Sequence, residues 1–240
     1  MDFSSAAKDY ARHRAGFPAS FFARVPLAGR ILDFGSGTGT LARGFRARGA
    51  SVVALDRSQT MLNEASDLPM RVVARAERCP FVDSSFDAIV AGQCWHWFDG
   101  EAAAREAGRL LKPGGRLVIA HFNHLVTESR AAAVTEELIL AHHPTWAMAG
   151  GDGLLECWRP YFAIGGMGDV QSFSYDEPVV YSHEDWRGRI RACNGVLALR
   201  DSARIAAFDE ALRQRLAVEF PDPLTIPHRI FVISGTKPSA

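Results

Sequence analysis

The run Ile31-Leu32-Asp33-Phe34-Gly35-Ser36-Gly37-Thr38-Gly39-Thr40 constrains this chain more than any other feature, because an apolar strand ending passes through three alternate glycines into a helical pattern. Gly35, Gly37 and Gly39 permit positive φ angles and a close backbone approach that a side chain would block. A helix opening near Thr40 aims unpaired N–H groups at whatever lies ahead of it, so the ligand end held there is expected to be anionic. A dinucleotide loop reads G-x-G-x-x-G, with glycines at offsets zero, two and five. Here they fall at zero, two and four with Asp33 two residues ahead, a spacing that disfavours NAD.

Periodicity places strands at 31–34, 51–55, 70–74, 85–91 and 116–122, with helical patterns at 41–48, 61–65 and 101–111 between them. This alternation predicts a parallel sheet. Lys112-Pro113-Gly114-Gly115 is read as the stop of the helix before it. Beyond Phe122 come a helix at 131–142, a loop rich in Gly and Trp over 144–168, strands at 170–175 and 228–234, and helices near 184–199 and 203–218. In the last of these Ile205, Phe208, Leu212 and Leu216 recur at helical spacing, as a buried face requires. The opening segment 10–25 carries Phe17, Phe21, Phe22 and Val25 and can pack as a lid.

Nearly half of the 240 residues are hydrophobic, at 48%, enough for one α/β domain with its own insertions. Lys plus Arg equals Asp plus Glu at 27 each, so no global field draws the chain to nucleic acid or anionic lipid. No apolar run reaches the roughly 20 residues of a membrane span, and Met1-Asp2-Phe3-Ser4-Ser5 lacks the pattern of a signal peptide. A cytoplasmic location is the expectation. Cys79, Cys94, Cys157 and Cys193 show no C-x-x-C spacing, so neither a zinc site nor a disulfide framework is expected.

The pattern D-x-G-x-G-T-G, formed by Asp33, Gly35, Gly37, Thr38 and Gly39, resembles the first motif of the class I S-adenosylmethionine (SAM) dependent methyltransferases. The segment Gln93-Cys94-Trp95-His96-Trp97-Phe98, Leu110-Leu111-Lys112-Pro113-Gly114-Gly115 and Tyr10-Ala11-Arg12-His13-Arg14 are similar to the small-molecule subgroup that includes trans-aconitate methyltransferases and uncharacterised bacterial relatives. So are Trp186-Arg187-Gly188-Arg189-Ile190-Arg191 and Pro227-His228-Arg229. Toxoflavin-type azapteridine N-methyltransferases share the general likeness. The resemblance implies a Rossmann-like seven-stranded, mostly parallel sheet with a helical N-terminal lid and C-terminal substrate-cap insertions. It further implies a single domain laid out as lid 1–28, SAM-binding core 29–122, strand plus helical cap 123–227, and final strand and tail 228–240.

On this resemblance SAM is the cofactor and S-adenosylhomocysteine (SAH) its product. SAM carries no phosphate, so the glycine loop is expected to hold its methionine carboxylate. Asp33 is expected to orient that loop and receive the methionine ammonium, directly or through water, and Asp56 to accept from both ribose hydroxyls. Arg57, Met61, Ala76, Glu77 and Gln93 complete the expected cofactor set, Met61 either lying beside the adenine or packing as core. Relatives often carry an acidic residue where Arg75 stands, so the usual side-chain contact to the adenine amino group is not expected, while the backbone of Ala76 can still meet the ring edge.

Transfer of a methyl group from a sulfonium is an in-line displacement that needs no metal and no covalent intermediate; it needs a held nucleophile and a dry site. His96 is the candidate base, or else its ring packs on Trp97 and bonds a carbonyl. Tyr10 is a further catalytic candidate and could cover the pocket. Trp97, His121, Trp146, Arg187 and Arg191 are candidate substrate residues. Arg187 and Arg191, four apart, either clamp a carboxylate or form a solvated stripe. The acceptor is expected to be a small metabolite, either planar and heteroaromatic or carboxylate-bearing, methylated on N or O. Neither nucleic acid nor membrane is an expected partner, and the chain is expected as monomer or homodimer. A NAD-dependent oxidoreductase and a non-catalytic SAM-binding module are the competing readings.

Overall fold

The computed structural model describes residues 12, 13 and 15–239. Helix α1 (Ala19–Arg24) precedes β1 (Arg30–Phe34), α2 (Thr40–Arg46), β2 (Ser51–Asp56), α3 (Gln59–Asn63), β3 (Arg71–Val73) and β4 (Phe86–Gly92). A 3-10 turn, Trp95–Trp97, leads to α4 (Gly100–Leu110) and β5 (Leu111–His124). There follow α5 (Arg130–His142), α6 (Arg159–Ile164), β6 (Gly168–Tyr181), α7 (His183–Arg191), α8 (Asn194–Leu197), α9 (Ser202–Glu219) and β7 (Leu224–Thr236). The seven strands, matching in number the seven apolar runs, form one sheet in the order β3-β2-β1-β4-β5-β7-β6. Strands β1 to β5 are joined in parallel pairs, β1 lying between β2 and β4.

The chain divides into two compact units. The larger comprises 16–122, 155–175 and 230–239 among the described residues, and holds the glycine loop. Its core sets Leu32, Phe34, Ile89, Leu117, Phe231 and Ile233 of the strands against Ala103, Ala107 and Leu110 of α4 and Phe162 of α6. Continuous apolar runs in β1, β4 and β5 follow from burial on both faces of a parallel sheet. Phe21 and Phe22 of α1 meet Phe45 of α2 edge-on at 6.2 and 5.1 Å between ring centroids.

The smaller unit comprises 12, 13, 15, 123–154 and 176–229 among the described residues. Its core gathers Ile139 of α5, Trp186 and Ile190 of α7, and Phe208, Leu212 and Leu216 of α9. The last three are fully buried, so the helical spacing read from the sequence does mark the inner face of α9. Asp209 beside them accepts from Arg187 Nε at 3.1 Å and from Arg191 Nη1 at 3.0 Å. Burial works against its charge, but the two guanidinium groups hold its carboxyl below the ordinary carboxylate range. Asp209→Ala is expected to cost about 2–4 kcal/mol, because two largely sheltered cations lose their shared anion; urea unfolding measures it.

Several boundaries differ from the sequence reading for physical reasons. Helix α4 stops where Pro and Gly demand, yet Lys112 to Gly115 continue as strand. Gly114 N–H donates to Lys237 O and Lys237 N–H to Gly115 O, both at 2.8 Å, and a register shift between Phe86 and Ala88 absorbs the irregularity. Strand β6 runs on through Pro178 to Tyr181 because it is a sheet edge, where a missing N–H is tolerated. The expected 184–199 helix divides into α7 and α8 at Cys193, whose ψ of 155° is extended. The stretch 144–168 was read as loop, but 156–158 form a 3-10 turn and 159–164 a helix, too short to announce a period. Among the described residues no helix is long and apolar enough to cross a membrane.

Candidate functional site

Strand β1 ends in Asp33 and Phe34, paired with Ala54 and Leu55 of β2, so Asp33 and Asp56 close neighbouring parallel strands. Ligands of open parallel sheets bind beyond such carboxyl ends. The chain leaves β1 through Gly35, Gly37 and Gly39 at φ of 61°, 56° and 82°, all left-handed. Ser36 N–H donates to Leu55 O and Gly39 N–H to Ser36 O, each at 2.9 Å, which folds the loop back over β2. A Cβ on Gly37 would lie 3.3 Å from Met61 Cε, and one on Gly39 would lie 2.7 Å from Leu68 Cδ1. The loop is therefore a bare backbone cradle at the start of α2.

Asp56 anchors this cradle. One carboxylate oxygen accepts from Gly37 N–H at 2.9 Å and the other from Ser58 N–H at 2.8 Å. Each oxygen keeps lone-pair capacity for a further donor. Arg43 fixes the loop from the helix side, donating to Thr38 O at 2.7 Å, to Glu64 O at 3.0 Å and to both oxygens of Asp67. The sequence reading missed Arg43, since an arginine on a short helix carries no local sign of a partner 24 residues away.

Asp33 is 1% exposed, and its Oδ2 has no hydrogen-bond partner among the described residues. Burial pushes its pKa up to about 7 and the Asp56 carboxylate adds to the effect, while hydrogen bonds from Ser36 and the Ala42 backbone oppose it. A buried carboxylate oxygen beside a glycine cradle is poised for a cation.

The remaining cofactor candidates lie around this cradle in different settings. Thr38 is buried, Arg57 is exposed and Met61 is 6% exposed with its methyl against Gly37. Ala76 is buried in the turn closed by the Arg75 and Arg78 bridge. Glu77 accepts from Asp99 N–H at 3.1 Å and from the Arg75 guanidinium, so its carboxylate is occupied in holding that turn. Gln93 follows β4 with φ of 67°. Cys94 donates its thiol hydrogen to Phe34 O at 3.0 Å, and burial pushes its pKa far up, so it is a tie between β1 and β4 rather than a nucleophile.

At the end of β4 the 3-10 turn brings His96 onto Trp97, with ring centroids 4.5 Å apart. His96 also lies 5.9 Å from the buried His121 of β5, which meets Trp158 edge-on at the same distance. Phe17 packs on Phe122 at 5.8 Å, and a Cβ on Gly92 would come 3.0 Å from its ring. The structure thus gathers His96, Trp97 and His121 at the ends of β4 and β5.

The other substrate candidates belong to the smaller unit. Trp146 donates to Asn194 at 3.0 Å and packs on Gly195, whose added Cβ would meet the indole at 3.0 Å. Arg187 and Arg191 are engaged with Asp209 and Glu184. Tyr10 lies outside the described residues. Among the described residues no group of three or more His, Cys, Asp or Glu could hold a metal ion.

Residues 32–119 match the family model described as a methyltransferase domain. An uncharacterized methyltransferase of Mycobacterium tuberculosis is 40% identical over 122 residues, 49% of this chain and 50% of that protein. A demethylmenaquinone methyltransferase of Corynebacterium urealyticum is 36% identical over 115 residues, 47% of this chain and 50% of that protein. The chain spans about half the length of the curated relatives it matches. Among solved structures, a proposed type II methyltransferase from Anaeromyxobacter dehalogenans superposes with a TM-score of 0.69 at 21% identity, covering 95% of this chain and 99% of that one. Residues 32–119 are thus similar to a methyltransferase domain, and the chain has the α/β Rossmann-like fold of that solved structure.

Proposed function

We propose that the chain is a SAM-dependent methyltransferase acting on N or O of a small metabolite. The observation that carries this reading is Asp33, a buried carboxylate beside a glycine cradle with one oxygen unmet by the described residues. A dinucleotide would bring its pyrophosphate against two carboxylates, Asp33 and Asp56, whereas SAM brings an ammonium, a sulfonium and two ribose hydroxyls. The residues fit SAM on these grounds. Asp33 holds the ammonium, the glycine loop between β1 and α2 receives the carboxylate, Asp56 holds the ribose, and Met61 and Ala76 flank the adenine. SAM supplies an electrophilic methyl carbon.

The chain's own part in the reaction is to position an acceptor atom about 3–3.5 Å from that carbon and to exclude water. In this reading His96 takes the acceptor proton when the acceptor is a hydroxyl or a protonated ring nitrogen, and Trp97 and His121 wall the acceptor. The same reading includes a cytoplasmic location and a monomer or homodimer. The acceptor panel is phenols, ring-nitrogen heterocycles, amines and carboxylates, with SAH formation as the measured product. Turnover of at least one class is expected, and His96→Gln is expected to lower kcat for a hydroxyl or ring N–H acceptor about 100-fold with SAH affinity unchanged. SAH binding without turnover of any class would instead favour a binding module.

A further inference from the structure

Gln93 is built unlike the residues before it in β4. Its φ of 67° places a non-glycine residue in the left-handed region, which L side chains adopt rarely and at a cost. That conformation is held by its own hydrogen bonds: the backbone N–H donates to Ala120 O at 2.9 Å, and the side-chain amide donates to Phe122 O. A carbonyl cannot donate, so the nitrogen end of the amide must face Phe122 and the oxygen end must face away. Oε1 is buried and has no partner among the described residues.

A left-handed backbone and an unmet buried acceptor both disfavour the fold, and here they coincide in one residue at the carboxyl end of a central parallel strand. Such coincidences mark positions shaped for a ligand. The surroundings agree. Asp33 Oδ2 beyond β1 and Trp95 Nε1 beyond β4 are likewise buried without hydrogen-bond partners among the described residues. These two strands are neighbours, with Asp33 opposite Val90. The sequence reading groups Gln93 with the cofactor, but Asp33 and Asp56 already match the cofactor's cation and hydroxyls, and Gln93 lies between β4 and the 3-10 turn that carries His96.

We propose that Gln93 determines acceptor specificity: its fixed Oε1 accepts a hydrogen bond from the nitrogen to be methylated, which selects amine acceptors. The inference rests on the methyltransferase reading. Oε1 has no proton to give, so a carboxylate acceptor would set oxygen against oxygen, whereas an amine, whose nitrogen carries a lone pair besides its N–H, is both bound and oriented. Holding the acceptor by its hydrogen also directs the lone pair of the same atom elsewhere, as an in-line displacement requires.

The test uses SAH and sinefungin, a SAM analogue with a primary amine in place of the sulfonium methyl group. That amine presents N–H donors where the reacting atoms meet. Calorimetry is run on the wild type, Gln93→Leu and Gln93→Gly, the last of which accepts the left-handed φ without strain and so should fold. The wild type is expected to bind sinefungin about tenfold more tightly than SAH, and both variants to lose that preference while keeping the wild-type SAH affinity. No sinefungin preference in the wild type, or an equal preference in the variants, overturns the proposal. Absence of SAH binding by the wild type would refute the methyltransferase reading itself.

Discussion

Asp33→Asn is expected to stabilise the ligand-free chain at pH 8 while weakening SAH binding about 10- to 100-fold, the loss of one charge-assisted hydrogen bond. The two effects share a cause. Burial raises the Asp33 carboxyl from its ordinary 3.8 to about 7. As pH rises from about 4 to 7 the unfolded chain releases this proton and the folded chain retains it, so stability falls through that window. Above pH 7 the penalty is fully present, on the order of 4 kcal/mol for about three pH units. Asn cannot ionise and escapes it, so the gain in thermal stability should be absent near pH 4 and complete above pH 7. SAH affinity of the wild type should run the opposite way, rising toward pH 7 as the carboxylate forms. Thermal melts and calorimetry across this range check both slopes, and a variant less stable than wild type at pH 8 would contradict the assignment of Asp33 as a buried, unmet carboxylate.

Asp56→Ala should be more damaging to cofactor binding. The carboxylate holds Gly37 and Ser58 by their N–H groups, so its loss frees the loop as well as removing the ribose acceptors. Two charge-assisted bonds of about 1.5–3 kcal/mol each correspond to a weakening of roughly 10²- to 10⁴-fold in SAH affinity. Asp56→Asn separates the contributions: its amide oxygen still accepts one loop N–H, while its nitrogen donates and cannot receive a ribose hydroxyl through that end. An unchanged SAH affinity in a folded Asp56→Ala protein would remove Asp56 from the site.

The parts of this molecule legible in the sequence are those governed by local rules. Glycine spacing after β1, the acid at the end of β2 and the apolar period of α9 each depend on neighbours within a few residues, and each is where the sequence places it. What was not legible depends on partners far along the chain. Arg187 and Arg191 share a helix face, but Asp209 on another helix decides their pairing. Lys112 to Gly115 read as a turn because Pro and Gly end α4, while their strand pairing comes from Lys237. Gln93 carries no local mark of its left-handed backbone, which is imposed by β5 through Ala120 and Phe122.

Separate calorimetric titrations of SAH, SAM and NADH into the purified chain decide whether this site takes SAM rather than a dinucleotide. Binding of SAH and SAM with Kd on the order of micromolar, and no heat from NADH, is the expected result. Binding of NADH alone would contradict a SAM site, and would mean that the Asp33 and Asp56 carboxylates tolerate a pyrophosphate despite their like charge.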